Sequence, residues 1–102
     1  MWYAIISDDV EDSLSLRKVH RPDHLKRLHL LNDSDRLLIA GPHPAIDSNE
    51  PGDAGFTGSL VVAKFDSLKE AQEWANQDPY FLNGIYKKVV VKPYKLVLPE
   101  LG

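Results

Sequence analysis

His24 has the residue type and spacing best suited to chemistry in this chain. It precedes Leu28 by four positions and Leu31 by seven, so on a helix it projects toward the same side as those leucines. With Pro22 as the opening residue of that helix, His24 falls in the first turn. There the helix dipole disfavours a positive imidazole. A neutral, partly buried histidine is a good proton acceptor. The same pattern also describes a core histidine bonded to a backbone carbonyl, and residue types alone leave both readings open. Asp78 is the natural partner for such a base. It follows a helical stretch whose C-terminal dipole is unfavourable to a carboxylate. It also precedes Pro79, so it suits the N-cap of one further turn. The two roles are compatible, because one carboxylate oxygen can cap while the other accepts from a histidine.

The remaining candidates carry weaker signals. His20 and His24 are four apart, a spacing that could hold a metal on one helix face. Pro22 between them places His20 outside the helix, and no third ligand is evident, so no metal is expected. His29 falls off the Leu25, Leu28, Leu31 stripe and reads as a solvated side chain. His43 lies between Pro42 and Pro44 and could line a pocket or simply face solvent. Ser59 follows Gly58 and could face a cleft. A nucleophilic serine needs a base and an oxyanion hole, and nothing local announces either. Gly55-Phe56-Thr57-Gly58 lacks the Lys-Ser/Thr ending of a phosphate loop. Arg17, Lys18 and Arg21 could attract an anionic substrate, or could line a solvated face.

These residues must be positioned by a small set of elements. Trp2 to Ser7 is aromatic and β-branched, which predicts a first strand. Val10 to Arg21 has a mixed pattern and reads as a short, irregular helical stretch. Pro22 to about Asp33 is an amphipathic helix on Leu25, Leu28 and Leu31. Arg36 to Ala40 is a second strand, broken by Gly41-Pro42. His43 to Phe56 is a long loop, of a length usually functional or mobile. Thr57 to Phe65 is the third strand. Ser67 and Glu70 form a capping box that opens a second helix, with Leu68, Ala71 and Ala75 on one face and Trp74 beside them. Pro79 stops it, and one more turn could follow to Asn83. Ile85 to Leu98 is the fourth strand, with Pro93 marking an edge, bend or bulge. The order β-α-β-β-α-β is the ferredoxin-like α+β arrangement with a four-stranded antiparallel sheet.

Two helices can cover only one face of such a sheet. In a lone domain the other face should be polar and the strands should alternate. Leu37-Leu38-Ile39-Ala40, Leu60-Val61-Val62-Ala63 and Val89-Val90-Val91 are instead apolar throughout. Each fully buried Val or Leu contributes about 1.5–3 kcal/mol, so exposing a whole face would be costly and sticky. A second copy, packed sheet against sheet, is the simplest cover. A homodimer is therefore expected, with further assembly left open.

Whole-chain properties narrow the function classes. One hundred and two residues make one domain, with residues 1–98 as its body and 99–102 as a C-terminal tail. The net charge of −3 argues against a broad nucleic-acid or anionic-membrane surface. The fold also hosts RNA-binding domains, but those stack bases on aromatics in the third strand, where this chain has Leu60, Val61, Val62 and Ala63. With no cysteine, disulfides, thiolate metal sites and a cysteine nucleophile are excluded. No signal-peptide pattern and no apolar run of about 20 residues is present, so a cytoplasmic location is expected.

Several short stretches in order resemble one family. They are Arg21-Pro22-Asp23-His24-Leu25, Leu37-Leu38-Ile39-Ala40-Gly41-Pro42, Asp47-Ser48-Asn49, Ala54-Gly55-Phe56-Thr57-Gly58-Ser59, Glu70-Ala71, Asp78-Pro79-Tyr80 and Val91-Lys92-Pro93-Tyr94. Each alone is weak. Together they span nearly the whole chain, and the set resembles the YciI-like, YCII-related family. The resemblance implies a dimeric α+β barrel, related in shape to muconolactone isomerase. It also implies an active site centred on a histidine–aspartate pair, which matches His24 and Asp78. One relative in that family is a dehydrochlorinase acting on a chlorinated hydroxyquinol. The expectation is a cofactor-independent small-molecule enzyme that performs an isomerisation or elimination by acid–base chemistry. Ser59, Gly41, Pro42, His43, Tyr80 and Arg17 are the expected substrate-binding residues. The alternative is a non-catalytic small-ligand-binding or regulatory dimer.

Overall fold

The side chains of strand β1 (Trp2–Asp9) alternate between two environments that organise the rest of the chain. Tyr3, Ile5 and Ser7 point to one side and are buried; Ile6 and Asp8 point to the other and are exposed. In the computed structural model, which describes residues 1–101, the other strands are β2 (Leu37–Pro44), β3 (Phe56–Lys64) and β4 (Tyr86–Tyr94). They form one antiparallel sheet in the order β2-β3-β1-β4. Helices α1 (Leu14–Asp33), α2 (Leu68–Asn76) and the short α3 (Pro79–Leu82) complete an α+β, ferredoxin-like fold. Tyr3, Ile5, Val61 and Ala63 pack with Leu28 and Leu31 of α1 and with Ala71 and Ala75 of α2.

The main departure from the sequence expectation lies in α1. The irregular stretch and the helix expected to start at Pro22 are one continuous element, with Pro22 inside it. An interior proline removes one helical hydrogen bond and costs roughly 3 kcal/mol. Pro22 is exposed, so the carbonyl it leaves unpaired is on the side that water can reach. Continuity sets Arg17, Arg21, His24, Leu28 and Leu31 at spacings of four, three, four and three, which is one helical stripe. Arg17, His24, Leu28 and Leu31 are all buried. His24 therefore sits in mid-helix, and the first-turn dipole argument does not apply to it.

Strand ends also shift. β2 continues through Gly41, Pro42 and His43 to Pro44 instead of stopping at Ala40. Proline is compatible with this position because β2 is an edge strand. The expected loop shortens to residues 45–55 and contains a 3-10 turn at Gly52–Ala54. β4 ends at Tyr94, so the segment after it is longer than expected. In α2, Ser67 Oγ accepts from the Glu70 N–H at 3.1 Å, while the Glu70 carboxylate reaches the Asp66 N–H. Ala71 and Ala75 are buried, but Leu68 is exposed and lies outside the core.

The pairing register assigns Ile6, Ile39, Leu60, Val62 and Val90 to the sheet face away from the helices. Val62 is buried by its neighbours, whereas Ile39 is 50% exposed and Ile6 36%. Asp8, His43, Lys64, Lys88 and Lys92 surround this apolar centre. Across the sheet's middle, β1 and β3 approach closely at Gly58, where a Cβ would lie 2.1 Å from the Ser7 carbonyl oxygen. Only glycine permits that approach, and it sets the position of the next residue, Ser59.

Candidate active site

His24 and Asp78 come from opposite ends of the chain and meet between α1 and the start of α3. The His24 Nδ1 lies 2.8 Å from Asp78 Oδ1 and 2.9 Å from Oδ2. Asp78 Oδ1 also accepts from the Tyr80 N–H at 2.9 Å and so caps α3. One carboxylate thus serves both roles that its sequence position allowed. A carboxylate only accepts hydrogen bonds, so His24 Nδ1 must carry the proton and donate it. In the neutral ring Nε2 then keeps its lone pair, and it has no hydrogen-bond partner among the described residues. The Tyr80 ring stacks on the imidazole at 4.0 Å between centroids and 8° between planes, which fixes the ring's orientation.

Arg27 stands behind Asp78, and the sequence reading did not single it out. Its Nη1 is 3.5 Å from Asp78 Oδ2, and its Nη2 donates to the Trp74 carbonyl at 2.8 Å. The guanidinium also lies over the Trp74 ring at 4.3 Å. Burial lowers the Arg27 pKa from its ordinary value, with the charge of Asp78 opposing that shift. The group remains a cation, and it balances the buried carboxylate.

Arg17 occupies a second buried cluster. It makes a bidentate pair with Asp9, with Nε to Oδ2 at 2.6 Å and Nη2 to Oδ1 at 2.9 Å. Ser13 Oγ donates to the same Asp9 carboxylate at 2.6 Å. The Arg17 Nη2 also donates to the Gly58 carbonyl and to Ser59 Oγ. Tyr86 OH donates to Ser59 Oγ at 2.9 Å, and Tyr80 OH to the Arg17 carbonyl at 3.3 Å. Desolvation pulls the Arg17 pKa down, but its hydrogen bonds and attraction to Asp9 outweigh that, so the group is held charged. Burial raises the phenol pKa of both Tyr80 and Tyr86, against opposing effects from Arg17 on Tyr80 and from the Ser59 hydrogen bond on Tyr86.

A cavity of about 210 Å³ lies beside these groups, lined by Arg17, Arg21, His24, Leu25, Leu28, Ala40, Gly41, Pro42, Ser59, Val61 and Tyr80. Of the expected ligand-binding residues, Ser59, Gly41, Pro42, Tyr80 and Arg17 therefore share one cavity with His24. His43 does not line it. Its Nδ1 lies near Gly58 on the opposite sheet face, and the residue is exposed. Two-residue alternation explains this, because Pro42 points inward and its neighbour must point outward. His20 lies on α1 with His24, but no group of three metal-ligating side chains occurs among the described residues. His29 is exposed. The pairing of Arg17 with Asp9 was not anticipated. The spacing of Arg17, Arg21 and His24, once Pro22 is read as interior, signals that Arg17 lies on the buried stripe but not that Asp9 is its partner.

Comparison with known proteins places these features in context. The YCII-related domain family matches residues 1–95. Over 97 residues, covering 95% of this chain and 99% of the relative, the chain is 58% identical to Protein YciI of Escherichia coli O6:H1 and equally to that of Shigella flexneri. It is 50% identical to an uncharacterized protein of Haemophilus influenzae over the same span. Among solved structures, the fold is similar to that of 5-chloro-2-hydroxyhydroquinone dehydrochlorinase from Burkholderia phenoliruptrix in complex with 2,5-dihydroxybenzoquinone. The TM-score is 0.81 at 24% identity, covering 93% of this chain and 94% of that chain. No described helix is long and apolar enough to cross a membrane.

The raised phenol pKa values have a measurable consequence. The unfolded chain's tyrosines lose their protons near pH 10, while Tyr80 and Tyr86 in the folded protein hold theirs to higher pH. Above about pH 10 the unfolded state therefore binds fewer protons, and stability falls as pH rises. Phenolate absorbance of the native protein is expected to lag behind that of the denatured chain, with urea stability declining from about pH 10 upward. Coincident titrations of native and denatured protein would contradict this.

Proposed function

This chain belongs to the YCII-related domain family, and we propose that it is a small-molecule enzyme in which His24 transfers a proton while Asp78 orients it. The observation that carries this reading is the buried His24–Asp78 hydrogen bond, with His24 lining the cavity and its other ring nitrogen unpartnered among the described residues. In the forward step Nε2 takes a proton from a substrate carbon, and the electron pair of that C–H bond forms a double bond. In an elimination the new double bond expels a leaving group, which departs with its own pair. In an isomerisation the proton returns to a different carbon. Asp78 stabilises the imidazolium that forms in either case, as a carboxylate does for histidine in hydrolases. Positioned proton transfer of this kind accelerates reaction by roughly 10²–10⁴-fold. The cavity is smaller than the 300–1,000 Å³ of drug-sized sites, which favours a small cyclic or aromatic substrate.

Two substitutions test this with a substrate of the structural relative, 5-chloro-2-hydroxyhydroquinone, and its ligand 2,5-dihydroxybenzoquinone. His24→Ala is expected to bind the quinone but to lose turnover of the chlorinated compound. Asp78→Asn is expected to lower turnover by about 10²-fold or more, provided circular dichroism shows it folded. Undiminished turnover in His24→Ala would overturn the mechanism. Quinone binding by the wild type without any turnover would favour a binding module.

We further propose that a second copy covers the open sheet face, giving a two-fold α+β barrel. The support is the apolar centre formed by Ile6, Ile39, Leu60 and Val90, on a face that no helix of this chain covers. Light scattering should give twice the 11.5 kDa chain mass. Ile39→Lys, at an exposed position on this face, should shift the protein toward monomer. A wild-type monomer at micromolar concentration would sink this assembly.

A further inference from the structure

The cavity wall is unbalanced in charge. It contains two arginines and a histidine and no acidic side chain. The two nearby buried carboxylates are already engaged, Asp9 by Arg17 and Asp78 by His24 and Arg27. Arg17 is neutralised by its own pair. Arg21 has no ion-pair partner among the described residues, and it lines the cavity from one turn N-terminal to His24. One positive charge thus remains without a protein counter-charge.

Ser59 adds direction to that charge. Its hydroxyl has two acceptor lone pairs and one donor proton. Arg17 Nη2 at 3.0 Å and Tyr86 OH at 2.9 Å both donate to Oγ and occupy the lone pairs. Because a phenol is the more acidic hydroxyl, Tyr86 is the donor in that pair, which leaves the Ser59 proton free to turn toward the cavity that Ser59 borders while being only 4% exposed. A hydroxyl held this way is a poor nucleophile, since its lone pairs face donors and one of those is a cation. It is a good hydrogen-bond donor for the same reason, because the guanidinium polarises the O–H bond.

Resting on the reading of this cavity as the reaction site, we propose that its ligand is a small organic oxyanion, held by the Arg21 guanidinium and the directed Ser59 O–H with its reacting carbon turned toward His24. Ser59 is in this account a binding residue and takes no covalent role. The cavity is small, at about 210 Å³, so the ligand is a compact carboxylate, enolate or phenolate. A negative oxygen at Ser59 also serves the proposed proton abstraction, because it places developing charge beside a fixed donor.

The test uses the full chain and matched pairs of probes, acetate with acetamide and benzoate with benzamide, followed by calorimetry and by shifts of the His24 ring resonances. At least one carboxylate is expected to bind about tenfold or more tightly than its amide, with His24 perturbed. Arg21→Gln, an exposed substitution that leaves the core untouched, should erase most of that preference. Ser59→Ala should weaken the carboxylate about tenfold. If it unfolds by releasing Tyr86 and Arg17, the Arg21 arm still decides. No carboxylate preference, a preference unchanged in Arg21→Gln, or binding that leaves His24 unperturbed would each overturn the proposal. Failure of the catalytic reading looks different: carboxylates bind with this dependence, yet His24→Ala leaves turnover unchanged. If turnover is lost in His24→Ala while amides bind as well as carboxylates, the mechanism stands and the oxyanion is refuted.

Discussion

A single side of α1 carries both core residues and the polar residues that line the cavity. Leu28 and Leu31 on that stripe pack against Tyr3, Ile5, Val61 and Ala63, and His24, Arg21 and Arg17 continue the same stripe toward the helix start. The apolar end fixes the helix on the sheet, and rigidity of the helix transmits that position to His24. Side-chain geometry at the site is therefore governed by core packing rather than by a mobile loop. The arrangement also sets a demand. Placing arginine and histidine at buried positions removes their charges from water, which is costly unless each finds a partner.

The two buried clusters meet that demand separately. Asp9 is held by Arg17 and Ser13, and Asp78 by His24, Arg27 and the Tyr80 N–H. Tyr80 joins them physically, stacking on His24, lying 5.0 Å from the Arg17 guanidinium and donating to the Arg17 carbonyl. Once these pairings are satisfied, few polar groups remain free at the cavity. Among them are the His24 Nε2, the Ser59 hydroxyl and the Arg21 guanidinium. The second layer thus determines what the cavity can present to a ligand.

Local signals in the sequence carried most of the fold. The β-α-β-β-α-β order, the capping box at Ser67 and the cap at Asp78 all follow from neighbouring residues, and each is present. Pro22 misled because proline usually marks a helix start; here burial of the stripe outweighs its local cost. Gly41-Pro42 misled for a related reason, since only the strand's place at the sheet edge makes the proline acceptable. Long-range partners were less legible. Arg17 meets Ser59 across 42 positions, and no spacing rule reports such a contact. His24 and Asp78 are 54 apart, and their pairing was expected from family resemblance rather than from either residue's surroundings. His43 was read as a loop residue, and the extra length of β2 turned it to the far face.

The central claim is that Asp78 fixes the His24 proton on Nδ1 and leaves Nε2 as the base. Nitrogen-15 NMR of the histidine rings, recorded with His24 neutral, reads that tautomer directly and needs no substrate. The expected result is a protonated Nδ1 and an unprotonated Nε2 for His24, with the pattern lost in Asp78→Asn. A neutral ring carrying its proton on Nε2 would contradict the account, because Nε2 would then have no lone pair to accept a proton.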